Sequence, residues 1–211
     1  MKKGLFLTFF VAIEIALVVL GIIKFLNDNN VLGTIFIGVS IALLLFVIIN
    51  YNKMVRYKNK IKESFALVDI QLKLRFDLIP NLVNTVKGYN KHEKEVMTEI
   101  TKLRKLALAA TDEKEKLDYA NKMLPKLKNL IAVAESYPEV KSSALYKDLM
   151  SQLVDVEDRL VAARRIYDSN VNIYNTTIEV FPTNLLANIF GFKREELFKI
   201  DAGENIKYTI E

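Results

Sequence analysis

His92 and Glu93 open the pentapeptide HEKEV (92–96), and a His followed by a Glu is how a zinc-protease helix begins. In the full pattern, H-E-x-x-H, two imidazoles one helical turn apart hold the metal while the Glu acts as general base. Here the fifth position is Val96, and His92 is the only histidine among 211 residues. A catalytic zinc takes about three protein ligands. With one His and no Cys, only carboxylates remain to complete the set. HEKEV is therefore read as an exposed helix start, and neither a metal nor a cofactor is expected.

Other reactive constellations are no better supplied. Asp155, Glu157 and Asp158 cannot share one face of a helix, where successive residues diverge by about 100°, so they are read as a solvated face. A di-metal bundle site needs Glu-x-x-His on two helices, which one His cannot provide. No Walker loop and no G-x-G-x-x-G is present to cradle a phosphate. Acidic residues interleave with the basic ones and no aromatic-basic platform appears, which argues against a nucleic-acid partner. Catalysis is not expected. The rival reading is a ligand-binding sensor or a hydrolase built on the polar face of Asn170, Asn172 and Asn175 with Arg164 and Arg165. Perturbed titration of Asp158 or Asp168 would point to it.

The elements around these residues begin with two apolar runs, 4–26 and 31–50. Each reaches the roughly 20 residues a helix needs to cross ~30 Å of hydrocarbon. The NDNN link (27–30) suits a turn outside the bilayer. The apolar core of the first run is longer than that of a signal peptide and lacks a clear small-x-small cleavage site, so it reads as an uncleaved span. Lys2 and Lys3 precede the first run, and Lys53, Arg56, Lys58, Lys60 and Lys62 follow the second, so both ends are expected in the cytoplasm. Those five cations are also candidate contacts for anionic lipid. Glu14, mid-span, is read as protonated or packed against a helix.

Beyond residue 50 the apolar period is helical. Ile61, Phe65, Val68, Leu72, Phe76 and Ile79 fall three or four apart. A second seam runs Leu149, Leu153, Val156, Leu160, Ala163, Tyr167, Asn170, Tyr174, Ile178, Phe181. Asp112 with Glu115 reads as a capping box, and Pro138 forces Tyr137 out of helical geometry. Pro80 suits either a kink or a hairpin, and the comparable helix lengths on its two sides tip the reading to a hairpin. The fold class is all-α: a membrane-anchored, up-and-down bundle of about four long helices, with a short C-terminal helix and a tail. The expected divisions are an anchor over 1–50, a bundle over 51–193 and a mobile tail over 194–211, whose residues 204–211 alternate as a strand would.

Four stretches together resemble the LemA family of bacterial membrane-anchored proteins: DIQLKLRFDLIPNLVNTVKGYNKHEKEV (69–96), AVAESYPEVK (132–141), EDRLVAARRIYDSNVNIYNTTI (157–178) and FPTNLLANIFGFK (181–193). The resemblance covers roughly residues 51–200 and implies an N-terminal anchor followed by a helical bundle in the bacterial inner membrane. It assigns no metal to His92 or Glu93. Two apolar spans stand here where one is usual. The leading expectation is a cytoplasm-facing interaction or scaffolding module, with an unidentified protein partner or self-association through the long seam. Leu185, Leu186, Ile189, Phe190 and Phe192 are the candidate contacts with a partner or the bilayer, set against the plainer reading of a lid closing the core.

Overall fold

The computed structural model of the chain describes residues 2–26, 30–87 and 94–198. His92 and Glu93, the link at 27–29 and the alternating segment at 204–211 lie outside the described residues. Among the described residues the fold is all-α, with α1 (Lys2–Leu26), α2 (Asn30–Lys87), α3 (Lys94–Ala109), α4 (Glu113–Glu135), α5 (Pro138–Ser142), α6 (Ala144–Glu179) and α7 (Thr183–Phe190). They form two packing units, residues 1–63 with 167–198 and residues 64–166; α2 and α6 each contribute to both.

In the unit of residues 64–166, the seam on α2 is buried from Phe65 through Val68, Leu72, Phe76 and Ile79 to Leu82 and Val86. Also buried are Met97, Ile100 and Ala107 of α3, the α4 stripe from Ala120 to Ala134, and Leu149, Leu153, Val156 and Leu160 of α6. Ion pairs tie the helices side by side: Asp69 with Lys116 at 2.7 Å, Asp77 with Arg104 at 3.3 Å, and Glu99 with Lys126. Local chemistry sets the ends. Asp112 caps α4, its carboxylate accepting from the Glu115 N–H at 3.2 Å. Tyr137 is extended ahead of Pro138, which starts α5.

The hairpin expected at Pro80 does not form: α2 runs through it to Lys87. A proline inside a helix lacks an N–H and leaves the carbonyl four residues back unpaired. That carbonyl belongs to Phe76, and it accepts instead from Arg104 Nε at 2.6 Å. A long-range donor thus replaces the missing intrahelical one, and the helix continues.

In the other unit, α1 and the first part of α2 pack antiparallel at close range. A Cβ on Gly33 would lie 2.6 Å from the Phe25 nitrogen and 2.8 Å from the Gly21 carbonyl, so only glycine permits this approach. Glu14 is buried between the two helices and accepts from Ser40 Oγ at 2.6 Å. The outer faces stay apolar and open. The N-terminal part of α2 is long and apolar enough to cross a membrane, and only 11% of that stretch is buried. A helix in a soluble core would be covered.

The α6 seam departs from its expected run at two places. Val171 takes the core position next to Asn170, which is half-buried. Phe181 is 79% exposed, because α6 stops at Glu179, two residues before it, and the chain turns at Pro182. Thr183 closes the turn by donating to the Val180 carbonyl at 2.9 Å. At the end of α7, Gly191 adopts φ 77°, which frees the chain to leave in an extended path.

Candidate functional site

The carboxylates of α6 separate in three dimensions. Asp155 pairs with Arg159 at 2.9 Å in solvent, and Asp158 is exposed. Glu157 is not part of a solvated face. It lies within about 60° of Leu153 and Leu160 around the helix, and it pairs with Arg75, whose side chain is only 2% exposed. A cation this deep requires a carboxylate partner, and α6 supplies one. Arg75 was invisible to the sequence reading, because its place between Leu72 and Phe76 on the buried stripe is a matter of phase rather than residue type. Among the described residues no three His, Asp or Glu side chains gather as a metal set.

The polar face of α6 is occupied by the chain itself. The Asn175 amide donates to the Glu195 carbonyl at 2.9 Å and accepts from the Glu195 N–H at 3.0 Å. Tyr174 donates its hydroxyl to the Lys193 carbonyl at 2.9 Å, and Asp168 accepts from the Phe198 N–H at 2.8 Å. Burial, and after it the charge of Glu195, raises the Tyr174 hydroxyl above its ordinary pKa of 10.0, so it remains a donor at neutral pH. Residues 193–198 are therefore pinned along α6, although 194–198 were expected in a free tail. Side chains do for this backbone what a neighbouring strand would do. Of the remaining residues of the rival site, Arg164 is buried, while Arg165 and Asn172 are exposed.

The five candidates on and after α7 divide. Leu186 is buried, Ile189 and Phe192 are half-buried, and Leu185 and Phe190 are 46% and 40% exposed. α7 packs on α1. Tyr51, in the first turn after the apolar run of α2, meets Phe190 edge-on at 4.8 Å and Phe192 at 5.8 Å. The sequence reading missed Tyr51. Its signal was an aromatic residue at the end of an apolar run, where amphipathic rings settle at membrane–water boundaries.

The five cations after the apolar run do not act as one group. Lys58 turns to Glu195 at 3.6 Å. Lys53, Arg56 and Lys60 instead surround a concavity of about 430 Å³ together with Ile49, Asn52 and Tyr57.

Against this geometry stand three sets of similar sequences. The LemA family profile matches residues 64–211. A magnetosome protein MamQ 2 of Paramagnetospirillum magneticum is 44% identical over 73 residues, 35% of this chain and 27% of the relative. A magnetosome protein MamQ of Magnetospirillum gryphiswaldense is 43% identical over 72 residues, 34% of this chain and 26% of the relative. The matched stretch thus spans about a quarter of the length of these magnetosome proteins. A protein LemA of Metamycoplasma hominis is 25% identical over 175 residues, covering 79% of this chain and 80% of the relative.

Proposed function

The chain belongs to the LemA family, and from that premise we propose a bilayer-anchored helical module that works by binding and positioning other proteins, without catalysis. One observation carries this reading: α2 continues unbroken from an apolar stretch fit to cross a membrane into the residues that build the bundle core. The close packing of α1 on that stretch at Gly33 supports reading the two as a paired anchor. The cations that follow the second span orient the bundle toward the cytoplasm. Ionisable groups in the interior serve structure, Arg75 with Glu157 and Glu14 with Ser40. Similarity over 73 residues to proteins named for the magnetosome, and over 175 residues to a protein LemA, supports a reusable building block over a single reaction.

The contact surface is drawn from the exposed apolar side chains of α7 and the turn before it: Phe181, Leu185 and the part of Phe190 that Tyr51 leaves open. Photo-crosslinking in cells tests it. A photoreactive residue at Leu185 or Phe190 gives discrete crosslinks to another protein, while the same residue at Leu186 links only within the chain. Crosslinks confined to the chain from all three positions sink the scaffold reading. Protease treatment of inverted and right-side-out vesicles tests orientation; cleavage of the bundle from the outer side would reverse it.

A further inference from the structure

Lys53, Arg56 and Lys60 are spread over seven residues, yet the helix brings them together. At about 100° per residue they fall within an arc of roughly 60°, with Ile49 inside it and Tyr57 beside it. Lys58 and Lys62 lie on the opposite side of the helix. The ammonium groups of Lys53 and Lys60 come from one turn before and one turn after to the same ring, 5.9 and 6.0 Å from the Tyr57 centroid. Among the described residues no carboxylate pairs with Lys53, Arg56 or Lys60, whereas Lys58 is taken by Glu195. Asn52 adds an amide to the same concavity.

The position along α2 matters as much as the face. Ile49 ends the apolar run, and at 1.5 Å per residue Lys53 and Arg56 lie roughly 6 and 10 Å beyond it. Headgroups occupy about 5–7 Å on each side of the hydrocarbon, and long basic side chains reach back toward it. Lys60, a turn farther out, leans back to Tyr57. Three cations with no carboxylate partner among the described residues thus converge at phosphate depth.

We propose that the face formed by Lys53, Arg56 and Lys60 around Tyr57 binds the phosphate of an anionic lipid headgroup. This rests on the membrane-anchored reading above. The guanidinium supplies a planar pair of N–H donors for two phosphate oxygens. The ammoniums supply charge, and the ring holds them in place between turns.

The test uses the full chain reconstituted in vesicles of equal parts phosphatidylcholine and phosphatidylglycerol. Extraction with alkaline carbonate comes first. Release from the vesicles overturns the anchored reading itself. With the chain retained, native mass spectrometry counts the lipids that leave the vesicle with it. Phosphatidylglycerol is expected to be carried in preference to phosphatidylcholine. Lys53→Gln, Arg56→Gln and Lys60→Gln each lower that preference about fivefold, the share of one cation near a membrane surface. Lys58→Gln and Lys62→Gln leave it within about twofold, given the screening of exposed charge. Equal losses from all five substitutions overturn the site and leave only diffuse charge. Inorganic phosphate that displaces the lipid from the detergent-solubilised chain overturns the headgroup as its ligand.

Discussion

Arg104 donates its Nε–H to the Phe76 carbonyl at 2.6 Å, the carbonyl that Pro80 leaves without a helical donor. The same guanidinium reaches Asp77 at 3.3 Å. A helix break written into the sequence is thus repaired from α3, a neighbour in space, and α2 can carry its buried stripe on to Val86. Arg104→Ala is expected to destabilise the bundle by about 1.5–3 kcal/mol, the worth of a hydrogen bond to a charged group. In a Pro80→Ala background the new N–H serves Phe76, so the loss shrinks by about 1 kcal/mol or more. Denaturant unfolding of the parent and the three variants reads the coupling; equal losses in both backgrounds would refute the repair.

Arg75 and Glu157 give a different kind of prediction. Their side chains are 2% and 14% exposed, so removing either strands the other charge out of water. Arg75→Met or Glu157→Leu alone should cost about 3–5 kcal/mol, while the double variant returns to within about 1 kcal/mol of the parent or exceeds it. Melting of all three measures this. Additive losses in the double variant would mean that the two charges are not coupled, and would refute the pairing.

Tyr146 carries a buried hydroxyl with no hydrogen-bond partner among the described residues. Tyr146→Phe should therefore leave stability at neutral pH unchanged or raise it by about 1 kcal/mol. Burial first, and the charge of Glu135 second, push the Tyr146 pKa up to about 12 from 10.0. The folded state therefore holds the proton that the unfolded chain gives up, so this contribution is complete below pH 10 and is lost as pH rises toward 12. Melting temperature against pH should fall less steeply over that window in Tyr146→Phe. Parallel curves for the two proteins would exclude the assignment.

The bundle was legible because its signals are local and periodic. Phe65 to Ile79 and Leu149 to Ala163 announce their buried faces by spacing alone, and Asp112 announces its cap. What escaped depends on residues far apart in the chain. Nothing near Pro80 says that Arg104 will serve Phe76, and nothing near Glu157 names Arg75. The candidate site was legible in part: the five candidates on and after α7 and the five cations were picked by type. Their division was not: helical phase separates Lys58 from Lys53, but that Glu195 takes Lys58 and that Tyr51 meets Phe190 depends on neighbours far along the chain. The Asn-rich face hid its partner for the same reason: Asn175 bonds to a backbone, which no side-chain pattern records.

Asn175 decides whether that face is a closed structural joint. Its amide makes a reciprocal pair with the Glu195 backbone, one bond in each direction. Asn175→Ala removes both, at about 1 kcal/mol each, and should speed hydrogen exchange of the Glu195 amide roughly tenfold or more. Asn175→Asp separates the two bonds. A carboxylate still accepts from the Glu195 N–H but cannot donate to its carbonyl, so the Glu195 amide should stay protected. The Phe198 amide, held by Asp168 at 2.8 Å, reports whether the segment opens as one piece. Because both contacts pin one short extended stretch, Asn175→Ala should also accelerate Phe198, and Asp168→Ala should accelerate Glu195. A Glu195 amide that exchanges fast in the parent chain would mean that residues 193–198 do not hold this face, and the Asn-rich surface would again be open to a ligand.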